Sequence, residues 1–126
     1  MSMLGAFCNQ LLAFFEDMSS SYPEEKDIAM AASALKLVKQ ANPRLIHTVF
    51  QNAIDKELME HILVEDEEYV LSKAKDILNS NYSEVAYAFW IFDKHWSTMT
   101  ETNKRHVWDY FKTIVILANK VEKATY

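Results

Sequence analysis

Four histidines, His47, His61, His95 and His106, are the side chains of this sequence best suited to proton transfer or metal binding near neutral pH. Glu57, His61 and Glu65 follow at intervals of four and could share one helix face. A di-iron site in a helical bundle needs Glu-x-x-His on two helices and a Glu on each of two more. The positions three before the four histidines hold Arg44, Leu58, Phe92 and Asn103, none of them a carboxylate. "EDEE" at 65–68 could hold a hard cation, yet it lacks the alternating ligands and the glycine of a calcium loop. Acidic groups just before Tyr69, Val70, Leu71 and Ala74 read instead as a solvated helix start that favours the positive end of the dipole. Cys8 is the single cysteine, so it offers neither a zinc pair nor an internal disulfide, and an oxidising compartment is not implied. Among Phe7, Leu11 and Leu12 it reads as a buried thiol acting as a small hydrophobe. No nucleophile–base signature is present, and a chain with one glycine cannot build a phosphate-binding loop. These residues point to no catalytic site, no cofactor and no metal.

Asp93 and the aromatic stretch "FWIFDKHWSTMTETNKRHVWDYF", residues 89–111, leave a choice. On a continuous helix Asp93 falls on the side of Tyr82, Phe89 and Trp96, where a carboxylate needs partners. It is either a polar anchor in a pocket or a group that accepts from the Trp108 indole, Lys104, Arg105 or the start of the last helix. Phe89, Phe92, Trp96, Trp108 and Phe111 recur at helical spacing. Large rings at that spacing read first as core and second as the lining of a pocket between helices.

Positioning these residues requires helices. In 126 residues, the size of one domain, there are one glycine and two prolines, too few for the turns of a sheet protein. Half of the residues are apolar and 25% charged, a globular composition. The fold class is all-α: one domain over residues 1–126, an irregular bundle of five or six helices. Leu4, Phe7, Cys8, Leu11, Phe14, Phe15 and Met18 make the stripe of a first helix over 3–18. "SSSYPEE" breaks the chain, with serines able to cap and Pro23 suited to the first turn of a second helix reaching Ala41. Ala31, Ala32, Ala34 and Ala41 would let a neighbour approach closely and suggest a central position. Asn42 and Pro43 restart the chain, and the stripe Leu45, Ile46, Val49, Phe50, Ala53, Ile54 follows. Whether residues 43–62 form one helix or two, bent near Asp55, stays open.

Asn81 with Glu84 is a capping box for a fifth helix. Its main stripe is Tyr82, Val85, Ala86, Phe89, Phe92 and Trp96. Tyr87, Trp90 and Ile91 lie on the other side, so this helix is apolar nearly all round and is either buried or covered by a partner. The last helix begins near Thr98 or Thr100, and Thr98 with Glu101 is the better capping box on spacing. There Trp108, Phe111, Val115 and Ala118 form one ridge, and Ile116 falls among polar neighbours.

The C-terminal third, with Phe92, Trp96, Met99-Thr100, Asn103-Lys104, Val107-Trp108 and Tyr110-Phe111-Lys112, resembles small uncharacterised helical proteins of large nucleocytoplasmic DNA viruses of the algal type, over residues 89–121. The resemblance implies a viral origin and carries no activity and no active-site residues.

Net charge is −5, and the one basic cluster, Lys104-Arg105-His106, reads as a solvated helix face, so nucleic acid is disfavoured as a partner. No apolar run is long enough for a membrane span. The N-terminus carries neither a signal-peptide pattern nor a myristoylation motif, which gives an intracellular expectation: host cytoplasm, or virion in a viral setting. The expected function is a non-enzymatic protein-interaction or structural module, a minor virion component or host-factor binder, with a protein partner or homo-oligomer at Trp90, Ile91 and Ile116. The alternative is a small-ligand or lipid-binding bundle with Asp93, Trp90, Trp96 and Trp108 around a pocket. Partner identity and oligomeric state are not written in the sequence.

Overall fold

The computed structural model describes residues 2–78 and 93–125. Those residues form an all-α irregular bundle with no strand among them: α1 (Met3–Ser21), α2 (Lys26–Ala41), α3 (Pro43–Ala53), α4 (Lys56–Leu63), α5 (Glu67–Leu78), a short 3-10 helix (Trp96–Thr98) and α6 (Glu101–Thr125).

The Ser2 side chain accepts from the Gly5 N–H at 2.9 Å and starts α1. Six residues of the expected stripe, Phe7, Cys8, Leu11, Phe14, Phe15 and Met18, are buried, and Leu12 joins them. The helix runs on through Ser19–Ser21, so these serines extend α1 and do not cap α2. Pro23 then takes the second position of a turn closed by the Glu25 N–H on the Tyr22 carbonyl at 2.9 Å, and α2 begins only at Lys26.

Pro43 is the first residue of α3, as its fixed φ favours. The stretch 43–62 is two helices. Ile54 is extended and buried, and Asp55 accepts from the Leu58 N–H at 2.8 Å to cap α4. Since Ile54 stays in the core, the break redirects the chain while Phe50 and Leu58 both remain buried.

The end of α4 is a Schellman motif: the Asp66 N–H bonds the His61 carbonyl at 2.9 Å and the Glu65 N–H the Ile62 carbonyl at 3.0 Å. Glu65 sits there at φ 57. "EDEE" therefore divides its roles. Glu65 ends one helix, Asp66 caps the Tyr69 N–H at 3.2 Å, and Glu67 and Glu68 form the first turn of α5.

The cap of α6 is Thr100, whose hydroxyl accepts from the Asn103 N–H at 3.1 Å. The Thr98 expectation fails because residues 96–98 form a 3-10 turn, in which the Thr98 hydroxyl donates back to the His95 carbonyl at 3.0 Å.

Among the described elements α1 is the hub, packed against α2, α3 and α6, while α4 joins α6 to α5. The Tyr110 hydroxyl donates to Asp17 and ties α6 to α1, and Phe14 meets the Tyr110 and Phe111 rings at 5.5 and 5.3 Å. Helix α2 is not central. It contributes only Ile28, Ala32 and Leu35 as buried residues, and Ala29, Ala34 and Ala41 are exposed.

Candidate functional site

The four histidines do not converge. The buried His47 places Nε2 2.9 Å from the Ala118 carbonyl, so that nitrogen carries the proton, and its ring meets Phe7 edge-on at 5.3 Å. His61 donates through Nδ1 to the Glu57 carbonyl at 2.8 Å and stacks on Tyr69 at 3.6 Å. Because α4 stops at Leu63, Glu57, His61 and Glu65 share no continuous helix face, and Glu65 turns instead to Arg105 and Lys112. His95 lies 3.0 Å from the Glu25 carboxylate and stacks on Tyr22 at 4.2 Å. His106 is exposed. Among the described residues no three of His, Cys, Asp and Glu come together as metal ligands. Burial pushes the Cys8 thiol up from its ordinary pKa, which keeps it a thiol, and its Sγ lies 3.6 Å from the Pro43 carbonyl.

Glu25 accepts from Lys94 at 2.7 Å and from His95 at 3.0 Å, and the Lys94 bond leads in holding its carboxyl below the usual range. This cluster pins the turn between α1 and α2 to residues 94–95. It also explains why Glu25, at the N-cap of α2, makes no side-chain cap bond there.

Trp96 and Trp108 do come together, edge to face at 5.5 Å, and both are buried. The Trp96 indole donates to Glu67, and Lys104 lies over its ring at 5.2 Å. Asp93 is exposed, so it anchors no pocket beside these rings. The helical angle it shares with Trp96 does not carry it into the core, since the chain leaves α-helical geometry for a 3-10 turn at Trp96. Trp90 and Ile91, with the Asn81 cap and most of that aromatic stripe, lie outside the described residues. Ile116 is 44% exposed, and its neighbours along the same face are Lys112, Thr113, Asn119 and Lys120. It is an isolated apolar side chain on a polar surface. Lys104-Arg105-His106 is only partly a solvated face, since Lys104 covers Trp96 and Arg105 bonds Glu65 at 2.5 Å.

The apolar surface that does form a site lies elsewhere. A cavity of about 140 Å³ opens inside the bundle. Its floor is buried and comes from Leu11, Phe14 and Phe15 of α1, Ile46 and Phe50 of α3, and Phe111, Ile114 and Val115 of α6. The buried Ile54 and Ile62 also line it. The lining residues that reach solvent, Ala31, Ala34, Val38, Leu45 and Val49, all belong to α2 and α3, so the mouth lies between these two helices. Beside the mouth, the outward face of α2 carries Met30 at 68% exposure and Leu37 at 66%, with Ala34 and Ala41 also exposed. Neither Trp96 nor Trp108 lines this cavity.

Met30 and Leu37 stand seven apart, and with Ala34 between them they make a second apolar stripe on a helix whose first stripe, Ile28, Ala32 and Leu35, is already buried. That doubled stripe is readable in the sequence.

No family model, no curated protein and no solved structure matches this chain.

Proposed function

We propose that this protein is a non-enzymatic protein-interaction module that docks another helix on the outer face of α2, beside the α2–α3 mouth. One observation carries the reading: Met30, Ala34, Leu37 and Ala41 present an exposed apolar stripe at heptad-like spacing. Such a stripe suits knobs-into-holes contact with a second helix, and contiguous exposed apolar side chains mark interaction surfaces. The small residues between Met30 and Leu37 let a partner backbone come close.

Charge gives the partner its character. Residues 26–53 carry four basic side chains, Lys26, Lys36, Lys39 and Arg44, against the single acid Asp27, a net +3 within a chain of net −5. An amphipathic helix with acidic flanks would be drawn to this region in preference to the rest of the surface. In the viral setting that the resemblance suggests, the module would serve as a minor virion component or as a binder of a host factor, inside the host cell or the particle.

The test pairs sedimentation velocity on the purified chain with affinity capture from infected and host lysates. It compares wild type, the double variant Met30→Lys/Leu37→Lys, and Ile116→Asp. Wild type should sediment as a monomer and retain an acidic helical partner, the double variant should lose that partner, and Ile116→Asp should keep it. A double variant that is folded by circular dichroism and still behaves as wild type in both assays would remove the proposal.

A further inference from the structure

The cavity behind the α2–α3 mouth has its own chemistry and shares only Ala34 with the apolar stripe on the outer face of α2. Among the described residues its lining is hydrocarbon and aromatic side chains, with Phe14, Phe15, Phe50 and Phe111 among them and no charged or hydroxyl-bearing residue. A water molecule needs two to four polar partners to be held in such a space, and the lining side chains offer none. An anion has no cation to meet inside. An apolar void of this kind leaves its wall atoms without dispersion partners, so whatever restores those contacts without carrying a polar atom is favoured. The volume sets the scale. At about 140 Å³ the cavity is close to the size at which an engineered Leu/Ile/Phe-lined cavity stays dry and takes up benzene. Entry needs no unfolding, because the mouth is edged by small or short side chains, Ala31, Ala34, Val38 and Val49, that are themselves partly or fully exposed.

We infer that this cavity is a binding site for a neutral hydrocarbon group the size of a benzene ring or a short alkyl chain. Two sources share that chemistry, a free small apolar compound and the terminal segment of an acyl chain whose headgroup stays outside the mouth.

Methyl-labelled protein, observed by NMR at Ala31, Ile46 and Val49, is titrated with benzene, phenol and octanoate. Benzene should shift these methyls saturably. Phenol should bind no more tightly than benzene, since its hydroxyl finds no partner in the lining and gains nothing by entering. Octanoate binding tighter than benzene assigns the site to acyl chains, and weaker binding assigns it to free neutral compounds. Val49→Phe, which fills the space from the mouth, should weaken benzene by at least about tenfold, as loss of a fitted apolar volume does. Ala34→Leu, at an exposed position, gives a second filled variant with little risk to the fold. Absence of saturable shifts, tighter binding of phenol than of benzene, water contacts to the lining methyls, or unchanged affinity in both filled variants would each overturn the inference. Met30→Lys/Leu37→Lys should leave benzene binding as it is, so failure of the docking face and failure of the cavity are distinguishable.

Discussion

Glu65 is the residue at which backbone and charge pull against each other. Among the described residues it alone has positive φ, at the C′ position of the α4 Schellman motif where glycine is the usual occupant. A side chain with a Cβ costs about 1 kcal/mol there relative to glycine. The carboxylate offsets that strain by accepting from Arg105 at 2.5 Å and Lys112 at 2.6 Å, which fastens the α4–α5 corner to α6. The Arg105 bond, then the Lys112 bond, hold the Glu65 carboxyl below its ordinary value of 4.5. A pKa depressed in the folded state stabilises the fold fully above the unfolded value, and that contribution fades as pH falls through the folded one. Urea denaturation should therefore show wild type above Glu65→Gln at about pH 6, with the gap closing as the solution is acidified below the unfolded pKa. At neutral pH Glu65→Gly should exceed Glu65→Ala by about 1 kcal/mol, because both lose the ion pairs and only alanine keeps the strain. A gap that persists in strong acid, or an alanine variant equal to glycine, would contradict this account.

At the scale of elements, helix ends depend on which oxygen meets which N–H, and spacing alone does not decide it. Thr98 and Thr100 both precede α6, and only Thr100 accepts from an α6 backbone N–H. Thr100→Ala should cost about 1 kcal/mol in chemical denaturation, while Thr98→Ala, whose hydroxyl caps no donor of α6, should stay within about 0.5 kcal/mol. The reverse order would reinstate Thr98 as the cap. The same distinction separates what the sequence made legible from what it hid. Phe7, Leu11, Phe14 and Met18 repeat at 3.6-residue spacing, so the buried face of α1 could be read directly. Pro43 marked the start of α3 because its ring suits only a first turn or a break. Asp93 shares a helical angle with Trp96 yet is exposed, and Thr98 has capping-box spacing to Glu101 yet its hydroxyl donates to the His95 carbonyl. The small residues of α2 permitted both a central and a peripheral place, and only the packing of α1 against α2, α3 and α6 decides between them. The cavity could not have been foreseen, since its walls come from α1, α2, α3, α4 and α6 and exist only once these are assembled.

For the whole molecule the hub position of α1 has an energetic consequence. Phe14 is fully buried, touches the rings of Phe15, Tyr110 and Phe111, and also borders the 140 Å³ cavity. Truncating a buried phenylalanine to alanine costs about 3–5 kcal/mol, and the cost rises with the empty volume left behind. Here the new void would merge with one already present, and the helices around it are held apart by other large side chains, so collapse offers little relief. Phe14→Ala should fall at the upper end of that range, a large share of the roughly 5–15 kcal/mol available to a domain of this kind. The melting temperature should drop by about 10–20 °C. Leu37→Ala, on the exposed face of α2, should change stability by no more than about 0.5 kcal/mol. Saturating benzene should return part of the loss in Phe14→Ala if the merged cavity takes up an apolar ligand, because binding to the folded state alone raises its stability by mass action. Calorimetry with and without benzene reads both effects. A Phe14→Ala variant that melts with wild type would mean that α1 is not the element on which the bundle is built.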